Sequence, residues 1–242
     1  ALIYDIARLL DFLAASGTVD TSRLAQLEWI SLPFLRSLDR PARALSRELA
    51  LRPSFFMEVL RMVFRAHGEE PSETTDQQQA MALLGYQLLD SWQRPPGRQD
   101  DGTVDEEALN AWVNEARILA ATYKREKIAD QQIGRVLRYV PDDADGMWPH
   151  RTVRNLVERI ASRDLETGLE LGLRNSRGAT WRGLSDGGAQ ERALQARYLD
   201  YAQHFNANWP RTAAMLRRIA RSFAEEARRE DEHAEIIEER RR

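Results

Sequence analysis

ALIYDIARLLDFLAASG, residues 1–17, decides how the rest of the chain is read. Leu2, Ile3, Ile6, Leu9, Leu10 and Leu13 recur at the three- and four-residue spacing of one helix face. Gly17 then stands where a C-terminal cap belongs. The same rhythm returns downstream with almost no period-two alternation, so the chain is expected to be built from helices. It enters the first of them at full stride without a methionine, and the expectation is that it is part of a longer protein.

Working outward, a capping Asp20 or Thr21 introduces Leu24, Leu27, Ile30, Phe34, Leu35 and Leu38, with Pro33 placed to kink or split that helix. Pro41 and Pro53 each stand where a first helical residue is expected. The segment after Pro53 carries Phe55, Phe56, Val59, Leu60, Met62, Val63 and Phe64, apolar on nearly all sides, which predicts burial against several neighbours. RPPGRQDDGT, residues 94–103, reads as an exposed break. Asp105, Glu106 and Glu107 place negative charge on the opening turn of the next helix. Further helices follow around Ile133, Leu156, Leu169, Tyr198 and Leu216, and Trp148-Pro149 and Trp209-Pro210 each mark a helix start. The expected fold is all-α: about ten helices in stacked antiparallel hairpins, an irregular helical repeat or bundle. Residues 1–93 are read as one helical subdomain, 104–223 as a second, and 224–242 as a charged helical tail.

Composition narrows the chemistry. With no cysteine among 242 residues, disulfides, thiolate nucleophiles and cysteine-based metal sites are excluded. Only Lys124 and Lys127 are lysines, so a phosphate-loop or Schiff-base lysine would have to be one of those two. No apolar run approaches the roughly 20 residues of a spanning helix, and a cytoplasmic, membrane-free protein is expected. The net charge of −3 conceals an asymmetry: residues 1–121 carry 12 basic and 18 acidic side chains, whereas 147–222 carry 13 and 7. A basic stretch in an acidic chain suits nucleic acid or an acidic partner.

The densest unusual composition is GLELGLRNSRGATWRGLSDGGAQ, residues 168–190, with six of the 13 glycines. Arg174, Arg177 and Arg182 flank Trp181 there, a set that can hold an anion or grip a stacked base. These four are the candidate anion- or nucleic-acid-binding residues, and a nucleotide or phosphate on the 174–188 loop is a second alternative. The sequence lacks GK[ST], and no strand precedes the loop. A wider nucleic-acid surface would require Arg151, Arg154, Arg217 and Arg221 to join them.

Other constellations fail on their chemistry. If Gly146 of PDDADG took the invariant glycine of a calcium loop, Pro141 would stand first and Thr152 twelfth, neither a carboxylate. Asp142, Asp143 and Asp145 are read instead as an acidic turn before a helix. Glu230 and His233 form a lone Glu-x-x-His where a di-iron bundle needs two. The chain has no G-x-S-x-G. No catalytic residue, metal or cofactor is expected.

LEWISLPFL (27–35), LRPSFFMEVLRMVF (51–64), IADQQIGRVL (128–137) and RGLSDGGAQERALQARYLDYA (182–202) resemble the helical C-terminal portions of large bacterial multidomain proteins. Together they cover under a third of the chain. The resemblance implies an accessory helical module beside an N-terminal region of NTPase or effector type, and no functional residue carries over from it. The leading expectation is a non-catalytic interaction or regulatory module whose partner is another protein or the rest of its own chain. The alternative is a nucleic-acid-binding domain using residues 147–222.

Overall fold

The computed structural model describes residues 2–38, 40–70, 73–176 and 187–241. Among them the chain is all-α, with eleven helices and no strand beyond one isolated bridge between Arg98 and Val104. They form two compact units, Ala1–Val140 and Pro141–Arg242.

The first unit holds α1 (Leu2–Ser16), α2 (Thr21–Ser37), α3 (Arg43–Leu51), α4 (Pro53–Val63), α5 (Asp76–Ser91), α6 (Glu106–Thr122) and α7 (Glu126–Leu137). Neighbours in sequence pack on one another from α1 to α5 and again at α6 and α7, while α4 also meets α6 and α2 meets α5. Asp20 caps α2 through its Oδ1, which accepts the Arg23 N–H at 2.8 Å. Helix α2 runs through Pro33 without splitting, because buried Leu32 and Leu35 hold the turns on either side while the proline ring stays exposed. Pro53 is the first residue of α4. Pro41 is not the first residue of α3: that helix begins at Arg43, and its Ala42 cap supplies no side-chain bond. Glu28 reaches across from α2 instead, and its Oε2 accepts the Leu45 N–H at 3.0 Å.

Phe56, Trp92 and Trp112 form an aromatic cluster in this core, with ring centroids 5.1 to 5.9 Å apart. The Trp112 indole also donates to the Leu49 carbonyl at 3.1 Å, tying α6 to α3. The 94–103 segment between the two tryptophans is drawn in with them, so Pro95 and Pro96 are buried rather than exposed. Asp105 caps α6 by accepting the Ala108 N–H at 3.0 Å.

The second unit holds α8 (Arg151–Ile160), α9 (Arg163–Asn175), α10 (Ala189–Phe205) and α11 (Pro210–Arg241). Helices α8, α9 and α10 all pack on α11. Tyr198 of α10 stacks on Phe223 of α11, with ring centroids 5.6 Å apart and planes 11° apart. These two helices run antiparallel: Asp231 Oδ1 of α11 accepts the N–H of Gly188, the cap of α10, at 2.8 Å. Helix α11 continues unbroken past residue 223, and Ala227 within that charged stretch is buried. Its first turn is capped from α8, where Glu158 accepts the Arg211 and Thr212 N–H groups at 3.1 and 2.8 Å.

Candidate functional site

The acidic turn before α8 is a structural lock. Arg154 of α8 donates to both carboxylate oxygens of Asp145, at 3.0 and 3.2 Å, and to the carbonyls of Pro149 and Met147 at 2.6 and 3.1 Å. The Arg154 side chain is 1% exposed, and its guanidinium lies over the Phe205 ring. This bonding holds the Asp145 carboxyl below its usual range. Asp143 accepts the Arg151 backbone N–H at 3.1 Å. No group of acidic or histidine side chains suited to a metal ion occurs among the described residues.

Most arginines of the basic stretch are likewise spent on helix packing. Glu166, buried on α9, receives Arg211 and Arg218 of α11 at 2.6 Å each and Arg163 at 3.2 Å. Glu170 takes Arg163 and Arg218, both at 2.9 Å. Arg151 lies 3.5 Å from Asp143, and Arg217 bonds Asn206. Among the four sequence-derived candidates, Arg174 stands in the last turn of α9 and lies 3.5 Å from Glu226 of α11. Arg177, Trp181 and Arg182 lie outside the described residues. Gly168 and Gly172 belong to α9, where both are buried. Pairing does not mean burial: Arg154 is buried, whereas Arg151, Arg163 and Arg174 pair with carboxylates while remaining exposed themselves.

Two of the depressions on the first unit bring together residues that single-residue reasoning passes over. One, about 500 Å³, is an apolar groove among α2, α3, α4 and α5. Leu27, Ile30, Phe55, Met62 and Met81 line it, with Arg23, Glu48, Arg52 and Glu58 at its margins. Ile30 is 73% exposed and Met62 is exposed beside it. The sequence places Ile30 among the apolar residues of α2 and Met62 in a helix expected to be buried against several neighbours. The structure leaves Met62 exposed on that helix, and Ile30 is exposed because α2 spends Leu24, Ala25, Leu32 and Leu35 on the core and has apolar residues to spare. The signal in the sequence is the width of the apolar arc, which exceeds what one neighbour covers.

The second depression, about 330 Å³, lies where the 94–105 connection faces the end of α3 and the first turns of α6. Arg47, Arg94 and Arg98 stand around it, with Trp112 among its lining residues. None of the three arginines was singled out by motif, since 47 and the 94–98 pair are far apart in sequence.

No protein family matches the chain, and no curated protein or solved structure matches it. No described helix is long and apolar enough to cross a membrane.

Proposed function

We propose that this chain is a non-catalytic protein-interaction or regulatory module that receives an amphipathic helix in the α2–α5 groove. The observation that carries the reading is the groove itself, apolar along its floor, open to solvent and edged by charge of both signs. Exposing Ile30 and Met62 to water costs free energy that a partner recovers by covering them. A helix presenting apolar residues at i, i+3, i+4 and i+7 has the matching shape. Met62 and Met81 supply unbranched side chains that adjust to the occupant. The resemblance to C-terminal portions of large bacterial multidomain proteins supplies the context, a helical module serving the chemistry of another region.

The test is selection from a displayed library of amphipathic helices against the purified chain. An enriched helix should bind the native chain at least about tenfold more tightly than an Ile30→Asp, Met62→Asp double variant that keeps its helical circular dichroism, a difference of about 1.4 kcal/mol. Enrichment of nothing, or equal binding to both proteins, rejects the groove. Turnover of a hydrolysable substrate, lost on changing one polar residue, rejects the non-catalytic reading.

A further inference from the structure

The smaller depression of the first unit has a different chemistry. The N-terminal half of the chain is acidic, with 12 basic against 18 acidic side chains in residues 1–121, yet three arginines line this depression. The connection that carries two of them is stiff. Asp105 N–H donates to the Gly97 carbonyl at 2.9 Å, and Gln99 N–H donates to Thr103 at 2.9 Å. Arg94 donates to the Arg98 carbonyl at 3.0 Å, and Pro95 and Pro96 are buried. Gly97 adopts φ +75°, and a Cβ there would fall 2.6 Å from the Asp105 carbonyl oxygen, so the two arms of the loop are pressed together.

Arg94 and Arg47 are both turned toward one carboxylate, that of Asp100, at 2.9 and 3.9 Å. Asp100 is itself 72% exposed at the loop tip. Arg98 has no charged or hydrogen-bonded side-chain partner among the described residues. Glu115 stands on the α6 wall, leaving three cations against two anions. Leu51, at the lip, is 62% exposed.

We propose that this cleft binds an acidic segment of a protein partner, one carboxylate of which takes the place of Asp100 between Arg47 and Arg94 while a second meets Arg98. A carboxylate is the oxyanion that the paired arginines already hold, and guanidinium–carboxylate bonds are the stronger, charge-assisted kind. Asp100 acts as an internal competitor, exposed enough to be displaced. An apolar residue next to the partner's acid covers Leu51. A nucleotide is poorly served: Trp112 is buried and its indole N–H already bonds Leu49, so no aromatic face is open for a base to stack on. The inference rests on the reading above only in taking the partner to be a protein; the recognition is by charge rather than by apolar burial.

The experiment uses the full chain and a fluorescein-labelled twelve-residue peptide alternating Leu and Glu, its Leu/Gln counterpart, and a single-stranded oligonucleotide of equal length, followed by anisotropy at two salt concentrations. The Glu peptide should bind at least about tenfold more tightly than the Gln peptide and weaken as salt rises. An Arg47→Gln, Arg98→Gln double variant should lose about tenfold in affinity for the Glu peptide, and Asp100→Asn should gain a few-fold by removing the competitor. Equal binding of the Glu and Gln peptides, or indifference to the arginine variant, overturns the proposal. Equal affinity for the oligonucleotide through the same arginines also overturns it in favour of a general polyanion surface. Ile30→Asp should leave Glu-peptide binding unchanged, so failure of the groove and failure of this cleft are read on different variants.

Discussion

The Arg154 guanidinium carbon lies 3.8 Å from the centre of the Phe205 ring, closing the interior of the second unit over a cation that sequence alone had offered to nucleic acid. A planar guanidinium can stack on an aromatic face and still donate in its own plane, which a lysine ammonium cannot do. Arg154→Lys or Arg154→Met is therefore expected to destabilise this unit by roughly 2–4 kcal/mol, since both leave the Pro149 and Met147 carbonyls short of a donor. Faster amide exchange in α8, with α3 and α4 of the first unit unchanged, checks it.

Asp145 gives that lock a pH dependence. Its hydrogen bond to Arg154 lowers its carboxyl below the ordinary 3.8. The stabilisation is complete above that ordinary value and is lost as pH falls through the lower, folded-state one. Native chain and Asp145→Asn should differ in urea midpoint at pH 7 and converge in strong acid.

Glu28 has the opposite sign. Burial raises its carboxyl above the ordinary 4.5, against the lowering effects of the Leu45 N–H and of Arg40. A buried acid with a raised folded-state pKa favours the fold at low pH, and that contribution fades as pH rises through the raised value. Glu28→Gln keeps an acceptor for α3 and drops the titration. Its stability relative to the native chain should improve between about pH 4 and 7, as read by thermal melts across that range.

Trp92 and Trp112 share one cluster but differ in what a phenylalanine would take away. The Trp112 N–H bonds Leu49, whereas the buried Trp92 N–H has no hydrogen-bond partner among the described residues. Trp112→Phe should cost about 1–2 kcal/mol more than Trp92→Phe, because only the former strands a carbonyl. Paired urea titrations of the two variants measure the difference.

At Gly188 the start of α10 lies close against the backbone of α11. A Cβ at this position would overlap the Ala227 carbonyl oxygen and lie 2.5 Å from the Ala227 Cα, both backbone atoms of α11. Gly188→Ala should destabilise by about 1–3 kcal/mol through forced displacement of the helix start, visible as faster exchange in the first turns of α10.

Much of the helix inventory was legible because helix starts and stops are local chemistry. Asp20, Pro53, Asp105 and the apolar spacing of α1 act within a turn or two of themselves. The cap of α3 was not, because its acceptor, Glu28, is 17 residues away. The candidate sites were still less legible. Arg47 reaches the 94–98 arginines only after α3 and the loop are packed against α6, and the carboxylates that neutralise Arg211 and Arg218 come from α9.

Residue order by itself determined that this chain is helical and cysteine-free, because periodicity, caps and composition are properties of neighbours and of counts. Which apolar residues were left uncovered, and which arginines were consumed, only the tertiary structure decided. Ile30 and Leu35 carry equally oily side chains five residues apart on one helix, and their fates diverge because neighbouring helices cover one side of α2 and leave the other to water. Exposure and electrostatic pairing depend on distances between segments remote in sequence, and those distances come into being when the helices pack.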